Sequence, residues 1–593
     1  MKTFTHKFLM LTIVALFAIG CASEKPKNQG EDAANASGQM SDGATNKIAS
    51  DDIAGVNFAA PASLYFNDES NQELLCVAYM NINDIVDKLG FNDSQRNAFA
   101  DLLLDDIDES EEEIREYLRN TIINLDNSGV KFSEPVYATF NANLQYQELF
   151  YEAVIIAQMS DADTLDIAFS DEDNLTMLDG NIRLVDIEND NFSSTLGYNE
   201  EYFIIAITSH GNSEDLFKAT LNSEKLDLTP FQNRDVALYI NGGRMFGLLK
   251  QFAQSDIDMA KDMLEYADDE YDIYMYQNYL DNAQQRYDTL NQISDAVGDL
   301  KAIAGLTFED GRIVLDVRYT CENGEDGNIS RVVNNENLKY IPHNAFGFMN
   351  IGFNGPAFVN AVKSNMTPDM ENYIAQMLDI PSNQFQTVLS VAYDAISSLD
   401  GDITAAINNV DIKSVTKYEY GEYYEDTTVD INAIAIADVT NKYIIDNVSL
   451  ASSSLSEVSE DNYIATLDNI NLHIGQIDDD LYLGINTAAT NVPSKSVADK
   501  WSEVFNDSIG YIVVDIQNIF NSHLDRSVKN NIYDSLEYDE AELVMKIFDM
   551  FDSLWLNIHD NNKIELILSF TNTEVNSLEQ IASLVIEFIN NIK

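Results

Sequence analysis

Apolar and polar positions change rhythm several times along this chain. Residues 8–19, "FLMLTIVALFAI", are apolar apart from Thr12, and the run stops at Gly20-Cys21. The polar stretch "ASEKPKNQGEDAANASGQMSDGATNKIASDD" follows at once, with few large apolar residues. Beyond it come short runs rich in β-branched and aromatic residues. "VYATFNA", "AVIIAQM", "NIRLVDI", "YFIIAIT" and "RIVLDVRY" predict strands. "EDGR" at 309–312 and "DNNK" at 560–563 carry hairpin turn chemistry. Within 245–300 the period becomes helical. From Asp258 there is no Pro or Gly before Gly298, which predicts one or two helices.

The strand runs recur in one order. "YMNI" (79–82) matches "FMNI" (348–351), and "EPVYATFN" (134–141) matches "GDITAAIN" (401–408). "AVIIAQMS" (153–160) matches "AIAIADVT" (433–440), and "YFIIAIT" (202–208) matches "LYLGINT" (481–487). "ALYINGGRMF" (237–246) matches "YIVVDIQNIF" (511–520), and "FEDGRIVL" (308–315) matches "IHDNNKIEL" (558–566). Any one match is weak; the shared order predicts two tandem copies of one module, 57–330 and 335–593. Each copy holds two strand–turn–helix units with Asn or Asp in the turn, the chemistry of a helix N-cap. The expected fold class is α+β: two tandem copies of a mainly antiparallel sheet with helices packed on one face.

The N-terminus reads as an address. A short, mostly basic start precedes an apolar run too short to span a bilayer as an ordinary helix, the pattern of a secretory signal over residues 1–20. "LFAIGC" resembles a bacterial lipobox, which implies lipidation at Cys21; Ala18 stands where Leu is commoner. Residues 21–56 then form a flexible tether, too poor in apolar surface to fold. Ala22 in place of Asp favours the outer membrane over the inner one.

With that lipobox and tether, "LLCVAYMNINDIVDKLGF", "SGVKFSEPVYATFN" and its counterpart "SSLDGDITAAI", and the closing "GLTFEDGRIVLDV", the chain resembles lipoproteins of Bacteroidota that carry a domain of unknown function. The resemblance implies an outer-membrane lipoprotein. It transfers no catalytic residue.

Charge narrows the partners. Lys and Arg number 34 against 99 Asp and Glu, a net charge of −65, so the chain repels nucleic acid and anionic headgroups alike. Membrane contact is expected only through the lipid. With 45% hydrophobic residues the chain is nonetheless globular. Beyond Cys21 there are two more cysteines, Cys76 and Cys321, expected either to pair or to sit buried as thiols.

The sequence assigns no catalytic residue, cofactor or metal. The six His lack metal-ligand spacing, and there is no CxxC, nucleophile elbow, phosphate loop or dinucleotide fingerprint. "NGGR" (241–244) reads as a turn rather than an anion cradle. "DDIDESEEE" (105–113) starts like a calcium loop but has Glu111 where Gly is needed. "DEDNLTMLDGN" (171–181) and "LDGDIT" (399–404) read as loop acids. Asp-Ser/Thr-apolar tripeptides at Asp163, Asp288, Asp507 and Asp534 fit a loose O-glycosylation pattern of Bacteroidota. The expected function is a lipid-anchored envelope protein with a non-catalytic binding or structural role. A glycan-binding or glycan-processing accessory protein is the alternative, weakened by having only Trp501 and Trp555 as indoles.

Overall fold

A computed structural model describes residues 74–592, apart from 105–111, 321–328, 523–528 and shorter gaps. Twenty strands are described, ten on each side of residue 330. The first ten are β1 (Cys76–Met80), β2 (Val136–Gln145), β3 (Glu148–Gln158), β4 (Leu175–Leu178), β5 (Ile182–Asn189), β6 (Phe192–Tyr198), β7 (Tyr202–Thr208), β8 (Val236–Asn241), β9 (Lys301–Glu309) and β10 (Arg312–Thr320). The second ten are β11 (Gly347–Asn354), β12 (Leu399–Glu419), β13 (Glu422–Val439), β14 (Ser456–Ser459), β15 (Asn462–Leu467), β16 (Ile470–Ile477), β17 (Asp480–Ile485), β18 (Ser508–Asp515), β19 (Phe551–His559) and β20 (Lys563–Phe570).

All pairings between these strands are antiparallel. In the first half the order is β4-β5-β6-β7-β3-β2-β1-β8-β9-β10. In the second it is β14-β15-β16-β17-β13-β12-β11-β18-β19-β20. The two orders correspond strand for strand. β10 then pairs with β20, so the halves share one sheet. Leu315 faces Leu566 at the middle of that seam.

All six segment matches fall on strands with corresponding places in the two orders. Register needs correction in more than one match. Beside β2 and β12 the ladders set Ala78, not Met80, against Met349, a shift of two that keeps the face. The match of "YFIIAIT" with "LYLGINT" shifts by one: it sets Ile205 against Gly484. The ladders instead pair Ile205 with Ile155 and Leu483 with Ala435, so Leu483 is the residue corresponding to Ile205. A one-residue slip matters in a strand because it moves a side chain to the opposite face.

Four of the helices begin as the Asn and Asp turns predict. Asn81, Asn241, Asn354 and Asp515 are N-caps, their side-chain oxygens accepting from the backbone N–H of Asp84, Arg244, Ala357 and Asn518. The helical stretch after β8 forms two long helices, Gly242–Glu265 and Glu270–Val297, packed on each other. After β18 the chain makes a five-residue helix, Ile516–Phe520, and later Tyr538–Met550.

The expectation that helices pack on one face is corrected for the outer strands of the first half. Adjacent residues of β7 point to opposite faces. Ile205 lies in a core with Tyr117, Leu118 and Leu165 from the helices Glu112–Ile123 and Ala162–Phe169. Ile204 and Ala206 lie in another core with Leu216 and Phe217 from the helix Ser213–Leu221. Helices therefore cover both faces there. In the second half one face carries the largest core. Phe348, Ala406, Ile434, Tyr511, Val513, Trp555 and Ile567 from the strands meet Leu338, Ile341, Val497, Trp501 and Phe505 from the connecting segments.

Candidate binding face

Opposite that core, the second half of the sheet presents apolar side chains to solvent. One row can be followed across nine strands by backbone register: Leu483, Ala435, Ala405, Met349, Ile512, Leu556, Leu566, Leu315 and Leu306. None of the nine is buried, and Leu483, Ile512 and Leu566 are exposed. The flanking row on the other face is the buried one: Gly484, Ile434, Ala406, Phe348, Val513, Trp555 and Ile567. Strict alternation of buried and open apolar residues is unusual. An antiparallel sheet with a free face ordinarily carries polar residues there. Ile351, Ile407 and Leu554 are also exposed and extend the patch. An apolar surface of this continuity exceeds what singly scattered apolar residues present.

Part of the face is concave. A trough of about 430 Å³ crosses β17, β13, β12, β11 and β18. Small residues floor it, Gly347, Ala405, Ala433 and Ala435, with Leu483, Ile485, Ile407, Met349, Ile512 and Val514 rising around them. In the first half Leu104, Leu118 and Leu165 pack on the corresponding face of the outer strands. In the second half the helices Gly355–Asn365, Pro368–Met377 and Ser382–Ser398 pack chiefly on one another and touch β12.

The polar groups singled out in the sequence are occupied in holding the fold. Asp402 of "LDGDIT" accepts from the backbone N–H of Asn334 and Asn335 and from the Asn350 amide. Burial raises its carboxyl above the ordinary range. Asp400 pairs with Arg331. In "NGGR", the Gly242 N–H donates to the Leu300 carbonyl, and the Arg244 guanidinium donates to Asn141 and to the Ala142 carbonyl. That turn is tied to β2 and to the residue before β9. Burial pushes the Asp515 carboxyl up to about 7; the Asn518 N–H and Lys500 act the other way, and Asp552 adds to the rise.

Among the described residues no group of His, Cys, Asp and Glu is placed to hold a metal. Trp501 and Trp555 lie 4.8 Å apart, centroid to centroid, inside the main core, so neither serves as a sugar platform. Ser508, in one Asp-Ser-apolar tripeptide, is buried with its hydroxyl donating to Asn557, which corrects it as a glycosylation site. Cys76 is half-buried on β1, and burial pushes its thiol up to about 11. Cys21, Cys321 and the "DDID" and "DEDN" acids lie outside the described residues.

Sequence reasoning missed the open face. Its one signal was that "INAIAIA" and "GYIVV" are apolar at both parities of the strand, which reads as burial on both faces. No curated protein matches the chain. A solved structure entitled "Structure of crystal form III of TP0453" is similar at 12% identity over 42% of this chain and 78% of that one, with a TM-score of 0.20, too slight a likeness to carry an argument. No described helix is long and apolar enough to cross a membrane. The family model of a domain of unknown function, DUF4836, matches residues 71–578, and the chain belongs to that family.

Proposed function

We propose that this chain is a lipid-anchored protein of the bacterial outer membrane whose role is binding rather than catalysis, with the open apolar sheet face as its binding surface. The observation that carries the reading is the apolar row from Leu483 to Leu306, none of it buried and Leu483, Ile512 and Leu566 exposed. Exposed apolar surface costs solubility, and a chain with this much acid elsewhere can tolerate it. Cys21 is the lipidation site, and residues 21–56 give the folded part reach from the membrane. The body is two copies of one α+β module, 57–330 and 335–593. The matching strand orders and the four capped strand–helix turns support that duplication.

The test has two arms. Cys21→Ala should move the protein from the membrane fraction to the soluble fraction. A photo-reactive amino acid placed at Ile512 should form an adduct in cells, while one at Val458, exposed on β14, should not. Adducts at both positions or at neither would remove the face as the binding surface. Robust turnover of a glycan, peptide or ester, abolished by one carboxylate substitution, would make the protein an enzyme instead.

A further inference from the structure

We infer that the trough holds the acyl chain of a single-chain lipid, lying on Gly347, Ala405, Ala433 and Ala435 between Leu483 and Ile512, with the headgroup in water. This names the ligand class of the face proposed above and rests on that reading.

Three observations choose this occupant. The first is chemical. Every lining residue is Gly, Ala, Val, Leu, Ile, Met or Phe, so no side chain can donate or accept a hydrogen bond. The backbone of β11, β12 and β13 is equally committed, since each is paired on both sides. A bound strand would find no edge, and an irregular peptide would leave polar backbone groups buried without partners, at a cost of roughly 2–7 kcal/mol each in an apolar setting. A polymethylene chain has no such groups to lose.

The second is width. Ala433 and Ala435 on β13 adjoin Ala405 on β12, and Gly347 on β11 lies beyond Ile407, so the contiguous small-residue floor spans two strands, about 5 Å between centres. A helix with its side chains is about 10–12 Å across. The floor admits a narrow chain and would seat a helix only on its rim.

The third is length. Ala435, Ala433, Ile431 and Val429 share one face of β13, and at ~3.4 Å per residue they extend the apolar path to about 20 Å. Ile431 and Val429 are exposed along that path. The volume of about 430 Å³ falls within the roughly 300–1,000 Å³ of small-molecule sites.

The experiment uses the full chain carrying Cys21→Ala, which removes an anchor lipid of its own as occupant. Dansyl-labelled undecanoic acid is titrated and followed by the blue shift of its emission, then displaced with unlabelled palmitic acid. Saturable binding near one probe per chain, reversed by palmitic acid, is expected. Ala405→Phe and Ala435→Phe place a ring in the trough without touching the buried core. Each should weaken probe binding about tenfold or more while leaving the thermal midpoint in place. Val458→Phe should change neither.

Absence of saturable binding by a folded protein overturns the inference, as does unchanged affinity in both trough variants. If the probe fails but the Ile512 adduct still forms, the face binds a protein and only the acyl assignment falls. If both fail, the proposed function falls with it.

Discussion

Ile205 on β7 and Leu483 on β17 occupy corresponding positions in two matching strand orders, yet their surroundings differ. Ile205 is 1% exposed, beneath helices that cross the sheet; Leu483 is 40% exposed. Both are large aliphatic residues in central strands. The difference comes from the connections. In the first half the helices Glu112–Ile123 and Ala162–Phe169 lie across the strands. In the second, the helices after β11 pack mainly on one another and, among the described strands, chiefly touch β12. The β8–β9 connection differs in the reverse sense. The first half builds two long helices there, and the second inserts a five-residue helix before Tyr538–Met550. A shared strand order thus fixes the scaffold, while helix placement decides which part of it meets solvent.

The sharpest way to break this comparison is to truncate both residues. Ile205→Ala should cost about 2–5 kcal/mol, as removal of a fully buried aliphatic side chain does. Leu483→Ala should stay within about 0.5 kcal/mol, as at an open surface. Denaturant midpoints at a shared slope give both values. Equal losses would mean that Leu483 is covered in the working protein.

A smaller effect separates the two helix caps after β8 and β18. Asn241→Ala should cost about 1 kcal/mol at any pH, the usual value of a cap. Asp515, its counterpart, is titratable. A carboxyl whose pKa rises on folding favours the fold where it is protonated. Its contribution is complete below the ordinary value of 3.8 and is lost as pH rises through about 7. Asp515→Asn keeps the cap and removes the titration. It should match the parent below pH 3.8, exceed it in thermal midpoint above pH 7, and flatten the pH profile between; a parallel profile would exclude Asp515 as the source.

The smallest expected effect is on the open face itself. Ile512→Ser should leave stability within about 0.5 kcal/mol and lower the fluorescence of the apolar dye ANS bound to the native protein. An unchanged dye signal would place the adhesive surface elsewhere.

Much of the scaffold was legible in residue pattern. Asn81, Asn241, Asn354 and Asp515 cap helices because a short polar side chain after an apolar strand satisfies the first free N–H groups wherever it occurs. The repeated order of strands was readable for a similar reason, since β-branched runs and turns are local signals. Register was less secure: "YFIIAIT" and "LYLGINT" align equally well one residue apart, and only the ladder partners Ile155 and Ala435 fix Ile205 and Leu483.

The binding face lay beyond that reach. Ala405, Ala433, Leu483 and Ile512 are as apolar as core residues, and composition cannot say whether a helix will lie over them. The sequence by itself determined the strands, the capped turns, the excess of acid and the lack of a recognisable catalytic motif, because each depends on neighbours close in the chain. Only the tertiary structure decided that one apolar side of β11–β13 is buried against Trp501 and Phe505 while the other faces water. Exposure is set by the packing of segments distant in sequence, and the hydrophobic pattern is silent on which of two apolar faces that packing will reach.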